Sequence, residues 1–275
     1  MHRFLAVMLM TWAALAQAAG RDAAASGAPS ATQAAAPRAV PRTDRNSEIA
    51  HLQLVEKARK GRIDVYFLGD SITRRWGTSD EQYKHFLANW RANFFGWNAA
   101  NFGWGADQVQ NILWRVENGE LEGVNPKVIV LLAGTNNIGG RRATDAAEVE
   151  SRAGNVAAAL ETLVETCRRR APGAVIILTG ITPRKEVMPI IDRVNERLAA
   201  FADGKWVRYV NINEKLADAD GKFHEGMAVD GLHLDVKGYQ VWADALKPIL
   251  TELLGPPGKE DHAPPPTGDP KAAGG

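Results

Sequence analysis

The chain has 275 residues, room for one domain of about 200 residues with tails or for two small ones. Its 33 basic and 32 acidic residues leave a formal net charge of +1 with no dense basic cluster, which excludes a nucleic-acid groove or an anionic membrane surface as the main partner. One cysteine, Cys167, excludes any internal disulfide, so stability has to come from a packed core.

Met1-His2-Arg3 leads into the apolar run 4–15, too short to span a bilayer stably, and Ala16-Gln17-Ala18 offers the small residues of a cleavage site. Residues 1–18 are expected to be a signal peptide, which makes the mature chain an exported protein, periplasmic or secreted. An uncleaved anchor is the competing reading. Residues 19–45 are mostly Ala, Pro, Ser, Thr, Gly and Arg; they cannot bury enough apolar surface to offset the entropy of ordering, which predicts a disordered linker. The Pro/Gly-rich residues 255–275 read as a disordered tail for the same reason. The folded domain is therefore expected over 46–254.

Within it, short apolar runs at 63–68, 98–102, 128–133, 175–178 and 207–212 read as buried strands. Helical spacing appears between them. It covers 109–117, the stripe Ala153, Val156, Ala157, Leu160, Leu163, Val164 and Cys167, the set Ile191, Val194, Leu198 and Phe201, and finally 239–254. Cys167 on such a stripe is a buried filler rather than a nucleophile. Strand then helix, repeated, predicts a three-layer α/β/α sandwich around a mostly parallel five-stranded sheet. Pro248 lies inside the last helical pattern, where a kink or break is expected.

The first strand, Val65-Tyr66-Phe67-Leu68, stops at Gly69-Asp70-Ser71-Ile72-Thr73. Ser and Asp at a strand-to-helix junction are ordinarily helix caps. In an open parallel sheet, however, the crevice at the carboxyl ends of the strands is where ligands bind, and a hydroxyl delivered there is placed for chemistry. Three other stretches share that location: Asn101-Phe102-Gly103-Trp104-Gly105-Ala106-Asp107, Gly134-Thr135-Asn136-Asn137, and Val229-Asp230-Gly231-Leu232-His233-Leu234-Asp235. Singly each reads as a turn or a structural residue. Together they supply what acyl transfer needs: Ser71 as nucleophile, His233 as base, Asp230 to orient the ring, and oxyanion donors from the backbone N–H groups of Ser71 and the Gly105-Ala106 turn and from the Asn136 amide.

These four blocks, in this order, resemble the SGNH hydrolase superfamily, the GDSL esterases and lipases, over almost all of 63–254. The stretch from Asn101-Phe102-Gly103 through Asn111-Ile112-Leu113-Trp114-Arg115-Val116-Glu117-Asn118-Gly119-Glu120-Leu121-Glu122 to Pro126-Lys127-Val128-Ile129-Val130 is similar to the platelet-activating-factor acetylhydrolase catalytic subunits within it. The resemblance implies a flavodoxin-like SGNH fold, Ser71, Asp230 and His233 as the catalytic residues, and Ser71, Ala106 and Asn136 as the oxyanion hole. Ala106 stands where the family has a glycine. Its backbone N–H can serve, but a positive φ there strains an alanine.

Among the remaining residues, Trp104 could stack on a sugar or acyl chain or simply pack, Trp76 and Trp114 read as core or cleft wall, and Arg184 as a loop cation that could line the pocket. Asp218-Ala219-Asp220-Gly221 reads as a plain turn rather than a calcium loop. No metal-ligand spacing occurs and no cofactor is implied. The expectation is an exported serine esterase acting on short acyl esters, acetyl above all, of small molecules or glycans through an acyl-serine. An acyltransferase using the same site and a non-catalytic binding module remain the alternatives.

Overall fold

A computed structural model describes residues 37–270. The expected signal peptide, most of the expected linker and the last five residues lie outside that span. Five parallel strands form the sheet: β1 (Val65–Gly69), β2 (Ala99–Gly103), β3 (Val128–Leu132), β4 (Val175–Thr179) and β5 (Val207–Val210). Their spatial order is β2-β1-β3-β4-β5. The sheet begins with β1, from which the chain crosses to β2 on one side and returns to the other side for β3. The order thus reverses at β1, and the crevice beside its carboxyl end is the place such sheets bind ligands.

Alternating side chains of the buried strands feed two cores. Tyr66, Leu68, Phe102, Ile129, Leu131, Ile176 and Leu178 face one, filled by α4 (Val109–Arg115), α6 (Ala146–Arg170) and α7 (Met188–Phe201). Val65, Phe67, Val128, Val130, Leu132 and Ile177 face the other, filled by α3 (Lys84–Phe94), the short α8 (Asn213–Leu216) and α9 (Val236–Leu254). The second core is aromatic: Phe67, Trp76, Trp90, Phe94, Tyr239 and Trp242 make mutual ring contacts with centroids 4.5–6.2 Å apart. Trp76 is therefore core. Cys167 is fully buried in α6, and burial pushes its thiol up to about 12, as befits a filler.

Three features differ from the sequence reading. Residues 37–44 lie against the domain, and α1 (Arg45–Ala58) begins inside the expected linker, its first turn capped by Asp44, which accepts from Ser47 N–H at 3.1 Å. The tail is placed as far as residue 270. Gly258 N–H donates to Gly96 O (2.8 Å), His262 N–H to Asn98 Oδ1 (2.7 Å) and Ser79 N–H to Thr267 O (3.0 Å), while Pro264, Pro265 and Pro266 line a hollow with Leu87, Trp90 and Phe94 of α3. Composition understated this segment because the apolar surface it covers belongs to α3. Finally, α9 runs unbroken through Pro248, which lies on its exposed side. The carbonyl left without a donor is that of the exposed Asp244, where water can satisfy it.

Candidate active site

The β1 turn depends on two glycines. A Cβ on Gly69 would stand 2.3 Å from Leu132 O and 2.2 Å from Thr73 Oγ1; one on Gly103 would stand 2.4 Å from Arg74 N. Their bareness lets α2 (Ser71–Trp76) start directly at the sheet. The capping oxygen comes from Asp70, which accepts from Ile72 N–H at 2.9 Å. Ser71 is thereby relieved of the cap role, and its side chain meets the loop ahead of α9.

There Ser71 Oγ lies 3.0 Å from His233 Nε2. His233 Nδ1 lies 2.9 Å from Asp230 Oδ2, and Asp230 Oδ1 also accepts the backbone N–H groups of Leu232 (2.8 Å) and His233 (2.7 Å). The carboxylate is locked by its own turn before it meets the ring. With Nδ1–H donated to Asp230, Nε2 carries the lone pair toward the hydroxyl. Burial works to raise the Asp230 carboxyl, but the His233 backbone and ring hold it below the usual range.

For His233, burial dominates and lowers the imidazole below its usual value; Asp230 opposes this, and the Arg75 and Arg184 guanidiniums reinforce it. Arg75 stands 3.8 Å from Asp230 Oδ2 and over the Tyr83 ring. Removing its charge favours the imidazolium, and a protonated His233 cannot accept a proton. Arg75→Gln is therefore expected to move the acid limb of the kcat/KM profile to higher pH, while Arg75→Lys keeps it near the wild-type position. A pH–rate series on the three proteins checks the sign.

Two turns, after β2 and after β3, carry Ala106 and Asn136. Asn136 lies in the short helix α5 (Thr135–Ile138) after β3, and its Nδ2 donates to Asp107 O at 2.8 Å, leaving the second amide hydrogen for a ligand. Ala106 has φ +61°, so the position does require the conformation that suits glycine, at a cost of about 1–2 kcal/mol for a residue with a Cβ. Its N–H has no hydrogen-bond partner among the described residues. Next to it, Asp107 is fully buried and ion-paired with Arg115, whose Nε donates to Oδ2 at 2.7 Å. Arg115 also donates to Phe102 O (3.1 Å) and pairs with buried Glu120, which accepts from His51 Nδ1–H at 2.8 Å.

Burial raises Asp107 to about 6 against the pull of Arg115. Asp70 rises to about 7 from burial and from the nearby Asp107. None of this network was given a role from the sequence, because a buried Asp or Arg is spelled like a surface one. Trp104 packs beside the first helix and α2. Its indole N–H donates to Ser47 Oγ (2.8 Å), Arg74 covers its face, and with Arg42, His51, Leu52, Trp114 and Arg115 it lines a hollow of about 180 Å3. Trp114 is thus a wall of that hollow. Arg184 reaches the edge of Gly140, close past the α5 turn.

Taken together, a hydroxyl, an imidazole and a carboxylate in hydrogen-bond series at the carboxyl end of a parallel sheet form the arrangement of a serine hydrolase. Residues 67–241 match the GDSL-like Lipase/Acylhydrolase family. The chain is 33% identical over 211 residues to the human platelet-activating factor acetylhydrolase IB subunit alpha2, an alignment covering 74% of this chain and 83% of that one. It is 31% identical over 209 residues to the bovine subunit alpha1, covering 74% and 82%. Among solved structures, a GDSL-like lipase from Bacteroides thetaiotaomicron superposes with a TM-score of 0.56 at 19% identity, covering 75% of this chain and all of that one. The chain belongs to the GDSL-like lipase/acylhydrolase family and is an ester-hydrolysing serine hydrolase.

Proposed function

We propose that Ser71, His233 and Asp230 are the catalytic residues and that the substrates are short acyl esters, acetyl esters first, of small molecules or glycans met after export. The observation that carries the catalytic assignment is the 3.0 Å approach of Ser71 Oγ to His233 Nε2, with Asp230 behind the ring. Ser71 Oγ attacks the ester carbonyl as His233 takes its proton. The tetrahedral oxyanion is held by the Ser71 and Ala106 N–H groups and by Asn136 Nδ2. Collapse expels the alcohol, which takes the proton back from His233 and leaves an acyl-serine. Water, deprotonated by the same imidazole, then attacks the acyl carbonyl; the bond to Ser71 Oγ breaks, His233 gives the proton to that oxygen, and the acid leaves.

The acetyl preference is supported by the names of the relatives, which are acetylhydrolase subunits, and export by the basic start, apolar run and Ala16-Gln17-Ala18 of the N-terminus. The test is a series of p-nitrophenyl esters graded from acetate to long chains, with acetylated sugars added, on protein whose N-terminus has been read by mass spectrometry after recovery from the producing cells. The highest kcat/KM is expected on acetyl or its nearest homologues, with the mature chain starting at Ala19. A maximum beyond about eight carbons overturns the short-acyl reading, in the way a longer apolar wall rewards each added methylene. A retained residue 1–18 overturns the processing step.

A further inference from the structure

We infer that the strap ahead of the first helix is a working part of the oxyanion hole, with Arg42 as the positioning residue that holds Ala106 in register. The inference rests on the assignment of the Ala106 N–H as an oxyanion donor. The strap is fixed to α4 from both sides: Val40 N–H donates to Gln110 O and Asn111 Nδ2 donates to Val40 O, each at 3.0 Å. From it Arg42 reaches across the loop. Its Nη1 donates to Gly105 O at 3.2 Å and lies 3.5 Å from Asp107 Oδ1, so a single guanidinium touches the residue on each side of Ala106. Asp44, the cap of α1, holds the same guanidinium from behind through Nη2 (2.8 Å) and Nε (3.1 Å).

The two sides of Ala106 are held unequally. Downstream, Asp107 is fixed by Arg115 through its carboxylate and by Asn136 through its carbonyl. Upstream, Gly105 has no side chain, and an added Cβ there would meet nothing within 4 Å; its carbonyl is held by Arg42. Ala106 meanwhile sits at φ +61°, a conformation an alanine leaves readily when nothing restrains it. Without Arg42 the loop can rotate the Ala106 N–H away from the developing charge while leaving the Ser71–His233 pair intact. Such a change acts on the transition state more than on ground-state binding, and the signature is a fall in kcat with KM little altered. The closer of its ion pairs, to the half-exposed Asp44, contributes little to folding, while the longer one reaches buried Asp107, so thermal unfolding is measured beside the kinetics to separate the two roles.

The experiment measures kcat, KM and thermal unfolding of the full chain on p-nitrophenyl acetate for wild type, Ser71→Ala, Arg42→Met, Arg42→Lys and the double variant Arg42→Met/Ala106→Gly. Arg42→Met is expected to lose about tenfold in kcat, less than the hundredfold that follows complete loss of an oxyanion donor. KM and the unfolding temperature stay close to wild type. Arg42→Lys recovers part of the loss, and the glycine in the double variant recovers part as well, because a residue without Cβ needs no help at positive φ. Wild-type kcat in Arg42→Met, a loss confined to KM, or a loss matched by a lowered unfolding temperature and unrelieved by Ala106→Gly overturns the inference. Wild type and Ser71→Ala turning over equally would instead overturn the catalytic assignment beneath it.

Discussion

Replacing Ser71 by alanine is expected to lower kcat on p-nitrophenyl acetate by about 10⁴- to 10⁶-fold, the range seen when a serine nucleophile is removed from such a unit. The fold should not notice. Ser71 is only partly buried, the cap of α2 is supplied by Asp70, and the hydroxyl's partner is His233, which keeps Asp230. The folded fraction and the unfolding midpoint therefore stay with wild type while turnover disappears, and circular dichroism beside a rate assay separates the two. His233→Ala is expected to follow Ser71→Ala, and the two losses should not add, since each removes the same step.

The second large effect is on stability. Arg115 is 3% exposed and faces two fully buried carboxylates, Asp107 and Glu120, besides donating to the carbonyls of Phe102 and Gly69. Arg115→Met keeps much of the volume but removes the close cation from both acids, leaving Asp107 with Arg42 at 3.5 Å and Glu120 with His51 at 2.8 Å. Breaking a buried pair from one side typically costs about 3–5 kcal/mol, because the remaining charge is left without solvent or partner. The cost should depend on pH in a definite sense. Burial already raises the Asp107 carboxyl to about 6 with Arg115 pulling it down, so without the guanidinium it rises further. A carboxyl raised in the folded state contributes most stability when protonated, below its unfolded value, and loses it as pH climbs through the folded value. Urea unfolding should accordingly show a larger deficit for Arg115→Met at pH 8 than at pH 5; equal stability of variant and wild type at both pH values contradicts this reading of the network.

The sheet was legible because its strands are buried on both faces and spell continuous apolar runs, broken by glycines where the crevice lies. The observed strands depart from those runs by only a residue or two at their ends. Asp230 and His233 were legible through their three-residue spacing, which the structure turns into a carboxylate braced by the next two backbone N–H groups. The first helix was not: its buried positions include Ser47 and Lys57, polar residues that break the apolar stripe and mask its period. Lys57 donates to Asn101 O, and burial lowers its ammonium to about 7, a setting that no composition count reveals. The same blindness hid Arg42, Asp107, Arg115 and Glu120, whose meaning depends on burial and on each other. The φ of Ala106 was posed by the sequence as a condition, and coordinates alone could answer it.

The central claim is that acyl groups pass through the Ser71 oxygen. The most direct measurement is covalent trapping: incubation with a p-nitrophenyl alkylphosphonate, an ester whose tetrahedral adduct does not hydrolyse readily, followed by peptide mass spectrometry. One phosphonyl group is expected on the peptide carrying Gly69-Asp70-Ser71, located on Ser71, with loss of activity in step with labelling and no label on Ser71→Ala. Inactivation accompanied by labelling at any other residue, or undiminished activity after full labelling of Ser71, contradicts it.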